Sequence, residues 1–244
     1  MFLQYRKYKR RVLLLTMQHW NWMLSAYWLR LHVEHPCRER IAVPHNKKVL
    51  KATSKCEYCY AIRTIKSFMT FNVLRTAYFS YFHSLLSYGI IFWGNSHFSA
   101  NIFKIQKRII RIITNKRKRY SCRQLFKTLQ ILTVPSQYIF SLLVFVIKNK
   151  GLFTTNSDIH GINTRYNFNF HLRSTNLTLV QKGVHYSGSK VFNHLPENIK
   201  VLSHDLWHFK TVLRNFLAEH TFYSLEEYYQ LTTNWPWLIL FLVF

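Results

Sequence analysis

Isoleucines at positions 102, 105, 109, 112 and 113 recur at the spacing of one helical face, and this stretch constrains the surrounding chain more than any other. Ile102, Ile105, Ile109, Ile112 and Ile113 form the expected core-facing stripe. Lys104, Lys107, Arg108 and Arg111 fall on the opposite face, and Lys116, Arg117, Lys118 and Arg119 carry the positive charge beyond the helix end. A solvated helix face is the ordinary fate of such cations, but solvated faces usually mix signs to form pairs one turn apart. This one does not: from Tyr58 to Ser157 the chain contains no carboxylate. A field of one sign attracts polyanions, so phosphate contact is favoured over simple solvation for all eight cations.

The whole chain agrees with that sign. Its 34 Lys and Arg against 9 Asp and Glu give a formal charge of +25, which points to a nucleic acid or an anionic membrane surface as partner. The carboxylate gap also removes the paired acids that hold divalent metal or act as acid and base from the middle of the chain. Asp158 and Asp205 are the two aspartates, far apart in sequence. His83 and His97 stand beside Ser84 and Ser96, but a nucleophilic triad also needs an orienting acid and an oxyanion site, which adjacency does not supply. No catalytic residue, cofactor or small-molecule substrate is therefore expected.

The cysteines Cys37, Cys56, Cys59 and Cys122 are too irregular for a disulfide framework, and a reducing compartment follows. Cys56 and Cys59 form a C-x-x-C, to which His35 and Cys37 could add ligands. No second ligand pair stands at zinc spacing, and a helix places i and i+3 together anyway, so no metal is expected.

Along the chain, a basic start precedes an apolar run from Val12 that is interrupted by Gln18, His19, Asn21 and Ser25, a poor membrane or targeting segment. Residues 32–48 read as a polar linker. Helices are expected over 49–68 and 71–88, the second burying Phe71, Leu74, Tyr78, Phe82 and Leu85. Gly89 ends it, and GIIFWG reads as a short extended piece. Ser121 is expected to cap a helix to Gln130 with Leu125, Phe126 and Leu129 inward. Pro135 suits the first turn of another helix, YIFSLLVFVI, which runs to Gly151 and is too short to span a membrane. Residues 152–190, rich in Asn, Thr, Ser and Gly, read as loops with one or two strands, on the alternation of Tyr166, Phe168, Phe170 and Leu172. A last helix is expected over 205–218, entered through Ser203, with Leu206, Phe209, Leu213, Phe216 and Leu217 buried. The end of the sequence, WPWLILFLVF, is wholly apolar.

The strings LRTAYFSYFHSLLSYGIIFWGNS, IFKIQKRIIRII and SCRQLFKTLQILTVPSQYI, followed by HGINTRYN, KGVHYSGSKVFNHLPENIK, FKTVLRNFL and FYSLEEYY, resemble in order the region after the palm of insect jockey-type non-LTR retrotransposon reverse transcriptases. The resemblance covers about residues 48–229. It implies a mainly α fold: a helical thumb-like bundle over 48–150 that grips template and duplex, then an irregular α+β C-terminal region over 151–229. Matching positions are Ser84, Tyr88, Gly89, Trp93, Gly94, Gln106, Lys107, Arg111, Cys122, Leu125, Phe126, Phe192, Asn193, Leu195 and Pro196, mostly packing or turn positions. The sequence departs from the family in lacking the palm's paired aspartates and a cysteine and histidine knuckle. Residues 1–47 and 230–244 are unassigned and read as flanking or frameshifted sequence around a truncated copy. The expectation is thus a non-catalytic reverse transcriptase fragment with weak, non-specific binding to the RNA or DNA backbone. A small basic membrane-associated protein is the alternative.

Overall fold

The computed structural model describes residues 57–161 and 169–233. About 71% of these are helical and none lies in a strand, so the chain is mainly α. The order is α1 (Glu57–Lys66), α2 (Phe71–Ala77), a π-helical turn (Tyr78–His83), α3 (Ser84–Ser87), α4 (Ile90–Trp93), α5 (Ser99–Ile113), α6 (Arg123–Leu129) and α7 (Val134–Lys148). It continues with α8 (Asn156–His160), α9 (Thr178–Gln181), α10 (Val184–Asn193), α11 (Glu197–Val201), α12 (Leu206–His220) and α13 (Leu225–Thr233).

α7 is the hub. Thr133 caps it by accepting the Ser136 N–H, and Pro135 occupies the first turn, where its missing N–H costs nothing. Tyr138, Ile139, Leu142, Leu143 and Val146 are buried against α3, α4, α5, α10 and α12, which pack around it. α7 with α6 has the length and apolarity of a broken membrane span, bent by 52°, but no single helix among the described residues is long and apolar enough to cross a membrane.

The aromatic helix departs from its expected register in one place. Leu74, Tyr78 and Phe82 are buried as expected, but beyond the π turn Leu86 is buried and Leu85 only partly so; Phe71 is exposed. A π turn accommodates one extra residue, so every later position of a 3.6-residue pattern is displaced by one. Gly89, at φ 60°, then ends the helix, and GIIFWG continues as helix α4 rather than extended chain. The buried Trp93 explains the return: its indole N–H donates to the Tyr88 carbonyl at 3.0 Å, tying α4 back to the turn.

The C-terminal half is more helical than its composition suggests. Thr155 and Phe170 form an isolated antiparallel bridge; Tyr166 and Phe168 lie outside the described residues. α10 occupies a stretch expected to be loop up to residue 190. Its buried Ser187, Gly188 and Ser189 allow close approach to α7, and a Cβ on Gly188 would fall 2.8 Å from Cγ2 of Val146. α12 buries Phe209, Leu213, Phe216 and Leu217 as expected and Leu206 only partly, and Asp205 rather than Ser203 caps it, accepting the N–H groups of Trp207 and His208. Ser203 instead accepts from Lys150 Nζ at 2.8 Å.

Candidate nucleic-acid interface

α5 presents the expected basic face, rotated. Ile102, Ile109 and Ile113 are buried, but Phe103, Gln106 and Ile110 complete the core face while Ile105 and Ile112 are only partly covered. The rotation divides the cations into two sets.

Lys104 and Arg108 are exposed; Lys107 and Arg111 are half-buried and committed to local structure. Lys107 Nζ lies 4.4 Å from the centre of the Phe103 ring and 5.3 Å from that of Tyr223, which the chain after α12 brings to this flank. The same aromatic ring takes the Arg123 guanidinium at 4.5 Å, and Arg123 pairs with Glu227 at 2.7 Å. Burial pushes the Glu227 carboxyl upward, but the Tyr223 N–H, donating at 2.6 Å, together with Arg123 outweighs it and leaves the group below its ordinary range. Cys122, buried beside them, has its thiol pushed up by burial against the opposing pull of Arg111 and Lys107, and so acts as an uncharged packing group.

The Lys116–Arg119 tetrad sits on a loop that the structure holds at several points. The Lys116 N–H donates to the Arg111 carbonyl at 2.9 Å, and Asn115 adopts the left-handed conformation at φ 58°, which its short polar side chain tolerates. Lys66 Nζ, from the end of α1, donates to Asn115 Oδ1 at 2.6 Å. Arg111 Nε reaches across the loop to the Tyr120 carbonyl at 2.8 Å, and the Tyr120 N–H donates to the Arg117 carbonyl at 3.0 Å. All four tetrad residues are exposed. α6 follows with Leu125, Phe126 and Leu129 buried as expected, but it begins at Arg123 with no side-chain cap, so Ser121 does not play the expected part.

The eight expected cations are therefore not one stripe. Lys104, Arg108 and the tetrad face outward, whereas Lys107 and Arg111 brace the loop and the C-terminal segment. Sequence reading passed over Lys66, Tyr120, Arg123, Tyr223 and Glu227. Tyr120 was visible beside the tetrad; nothing in FYSLEEYY indicated that its Tyr and Glu would close on α6.

The matched packing positions have concrete structural tasks. Gln106, fully buried, donates to Tyr78 Oη at 2.9 Å and the Leu132 carbonyl at 2.8 Å, and accepts the Val134 N–H at 3.0 Å. Asn193 exchanges two hydrogen bonds with the Phe170 backbone, at 2.9 and 2.8 Å. Ser84 donates back into the π turn, to the carbonyls of Ser80 and Tyr81. Cys59 is buried on α1; Cys56, His35 and Cys37, the other candidate zinc ligands, lie outside the described residues. Among the described residues no three His, Cys, Asp or Glu side chains are gathered as a metal site.

No family model matches the sequence, and neither a curated protein nor a solved structure matches it.

Proposed function

We propose that this chain is a non-catalytic helical segment of the kind that follows a reverse transcriptase palm, binding the phosphate backbone of RNA or DNA weakly and without reading bases. The observation that carries the reading is the exposed Lys116–Arg119 loop, fixed by bonds to Lys66 and Arg111 and joined by Lys104 and Arg108, in a region without a carboxylate from Tyr58 to Ser157. A braced loop loses less freedom on meeting a polyanion than a flexible one, so more of its charge is converted into affinity. Neutralising phosphates releases condensed counterions, which supplies the binding free energy and no sequence preference. The ordered series of strings resembling jockey-type elements supports the same assignment, with the helices through α7 as the thumb-like bundle and residues 151–229 as the trailing region.

The test is the salt dependence of binding. Replacing Lys116, Arg117, Lys118 and Arg119 with Gln is expected to flatten the slope of log affinity against log salt by about 0.7 to 0.9 for each phosphate no longer neutralised. An unchanged slope rejects the loop as a phosphate-binding element.

A further inference from the structure

The residue that closes the basic loop is aromatic, and its ring is displayed rather than packed away. Tyr120 is 44% exposed, yet both of its backbone polar groups are engaged, the N–H with Arg117 and the carbonyl with Arg111. The ring therefore projects from a fixed point. Lys116 Nζ lies 5.1 Å from its centre, so a cation and an aromatic surface stand together at the edge of the tetrad.

We propose that this loop is a landing site for single-stranded nucleic acid, with Tyr120 stacking on an unpaired base while the Lys116–Arg119 cations hold the flanking phosphates. The proposal rests on the backbone-binding reading above and names its ligand class. Charge alone favours the duplex, whose phosphates are denser along the axis. A base inside a duplex already has both faces covered by its neighbours, so the Tyr120 ring gains a stacking partner only where bases are unpaired. The cations serve both forms of ligand; the ring serves one.

The experiment uses the whole 244-residue protein and one short mixed-sequence RNA, alone or annealed to its complement, with binding read by fluorescence anisotropy at several salt concentrations. Tyr120→Leu keeps aliphatic bulk against the loop and leaves both backbone bonds in place while removing the π face. It is expected to weaken single-strand binding by roughly 5- to 150-fold and to leave duplex binding within about twofold. Tyr120→Phe should retain the preference, since stacking needs the ring and not the hydroxyl. Equal weakening of both forms by Tyr120→Leu, or no weakening of either, overturns the stacking role while the tetrad's salt slope still supports backbone binding. A slope untouched by the tetrad substitutions overturns the backbone reading and this proposal with it.

Discussion

His83 lies where an ionisable ring is held against its preference. Its imidazole contacts the rings of Phe79 and Tyr78, at centroid distances of 5.3 and 6.3 Å. Burial, with a smaller push from Arg214, lowers its pKa from 6.5 to about 4. In the unfolded chain the group takes up its proton near its ordinary value, so between about pH 6.5 and 4 the unfolded state binds more protons and stability falls as pH falls. Comparing denaturant unfolding at pH 7 and pH 5 should show the native protein losing about 1–2 kcal/mol more than a His83→Phe variant. The carboxyls of Asp158 and Glu227, both shifted downward from ordinary values of 3.8 and 4.5, lose their contributions mainly as pH falls below those values, so the comparison of pH 7 with pH 5 reports chiefly on histidine. An identical loss in both proteins would refute the assignment. Gln106 illustrates why such positions are hard to see in a sequence. An amide on the isoleucine helix reads as polar surface, and only the convergence of Tyr78, Leu132 and Val134 makes it a satisfied core residue.

Helices with a clean 3.6-residue apolar pattern were legible. α5, α6 and α12 lie close to where their periodicity placed them, because each buries an apolar face against its neighbours, although the face of α5 is rotated from the expected stripe. α7, surrounded on several sides, was marked instead by Pro135 at its start, Gly151 beyond its end and an unbroken apolar run between. What escaped was set by tertiary contact. The π turn displaced Leu85 in favour of Leu86, and α10 formed from a sequence, VHYSGSKVFN, whose Ser and Gly argue against helix by propensity. Those small residues are what allow α10 to lie against α7, so their poor propensity is offset by close packing. Gly188→Val should therefore overpack the contact with Val146 and lower stability by about 1–3 kcal/mol, although valine is the better helix former. Gly151→Ala, where an added Cβ meets nothing within 4 Å, should stay within about 0.5 kcal/mol. Unfolding midpoints in denaturant check both, and equal effects at the two glycines would remove the packing explanation for α10. The division of the basic stripe was similarly illegible, since Lys107 and Arg111 are claimed by Tyr223 and Tyr120, one of them far along the chain.

At the scale of the molecule, the distribution of the nine acids matters more than the +25 total. Nucleotide transfer by two metal ions needs carboxylates that bridge cations about 4 Å apart and face a bound nucleic acid. The basic face has no acid within its own segment, and Glu227, which reaches α6 from the C-terminal segment, is spent on Arg123 and the Tyr223 N–H. Asp158 accepts the Thr155 N–H at 2.9 Å in a capping box, and Asp205 opens α12. Glu197 pairs with Lys200 one turn away at 2.8 Å. Each of these acids has a local partner whose removal would cost a helix end or an ion pair, which are ordinary tasks for a carboxylate near a helix terminus. On the proposed reading, the protein is expected to bind nucleic acid without extending it. Primer extension on an RNA template with Mg²⁺ or Mn²⁺ should give no product above a buffer control, while the same preparation retards the primer–template in a salt-sensitive way. Extension that co-purifies with the chain and disappears on replacing Asp158 or Asp205 with Asn would contradict this, because it would assign metal chemistry to residues whose contacts are those of helix caps.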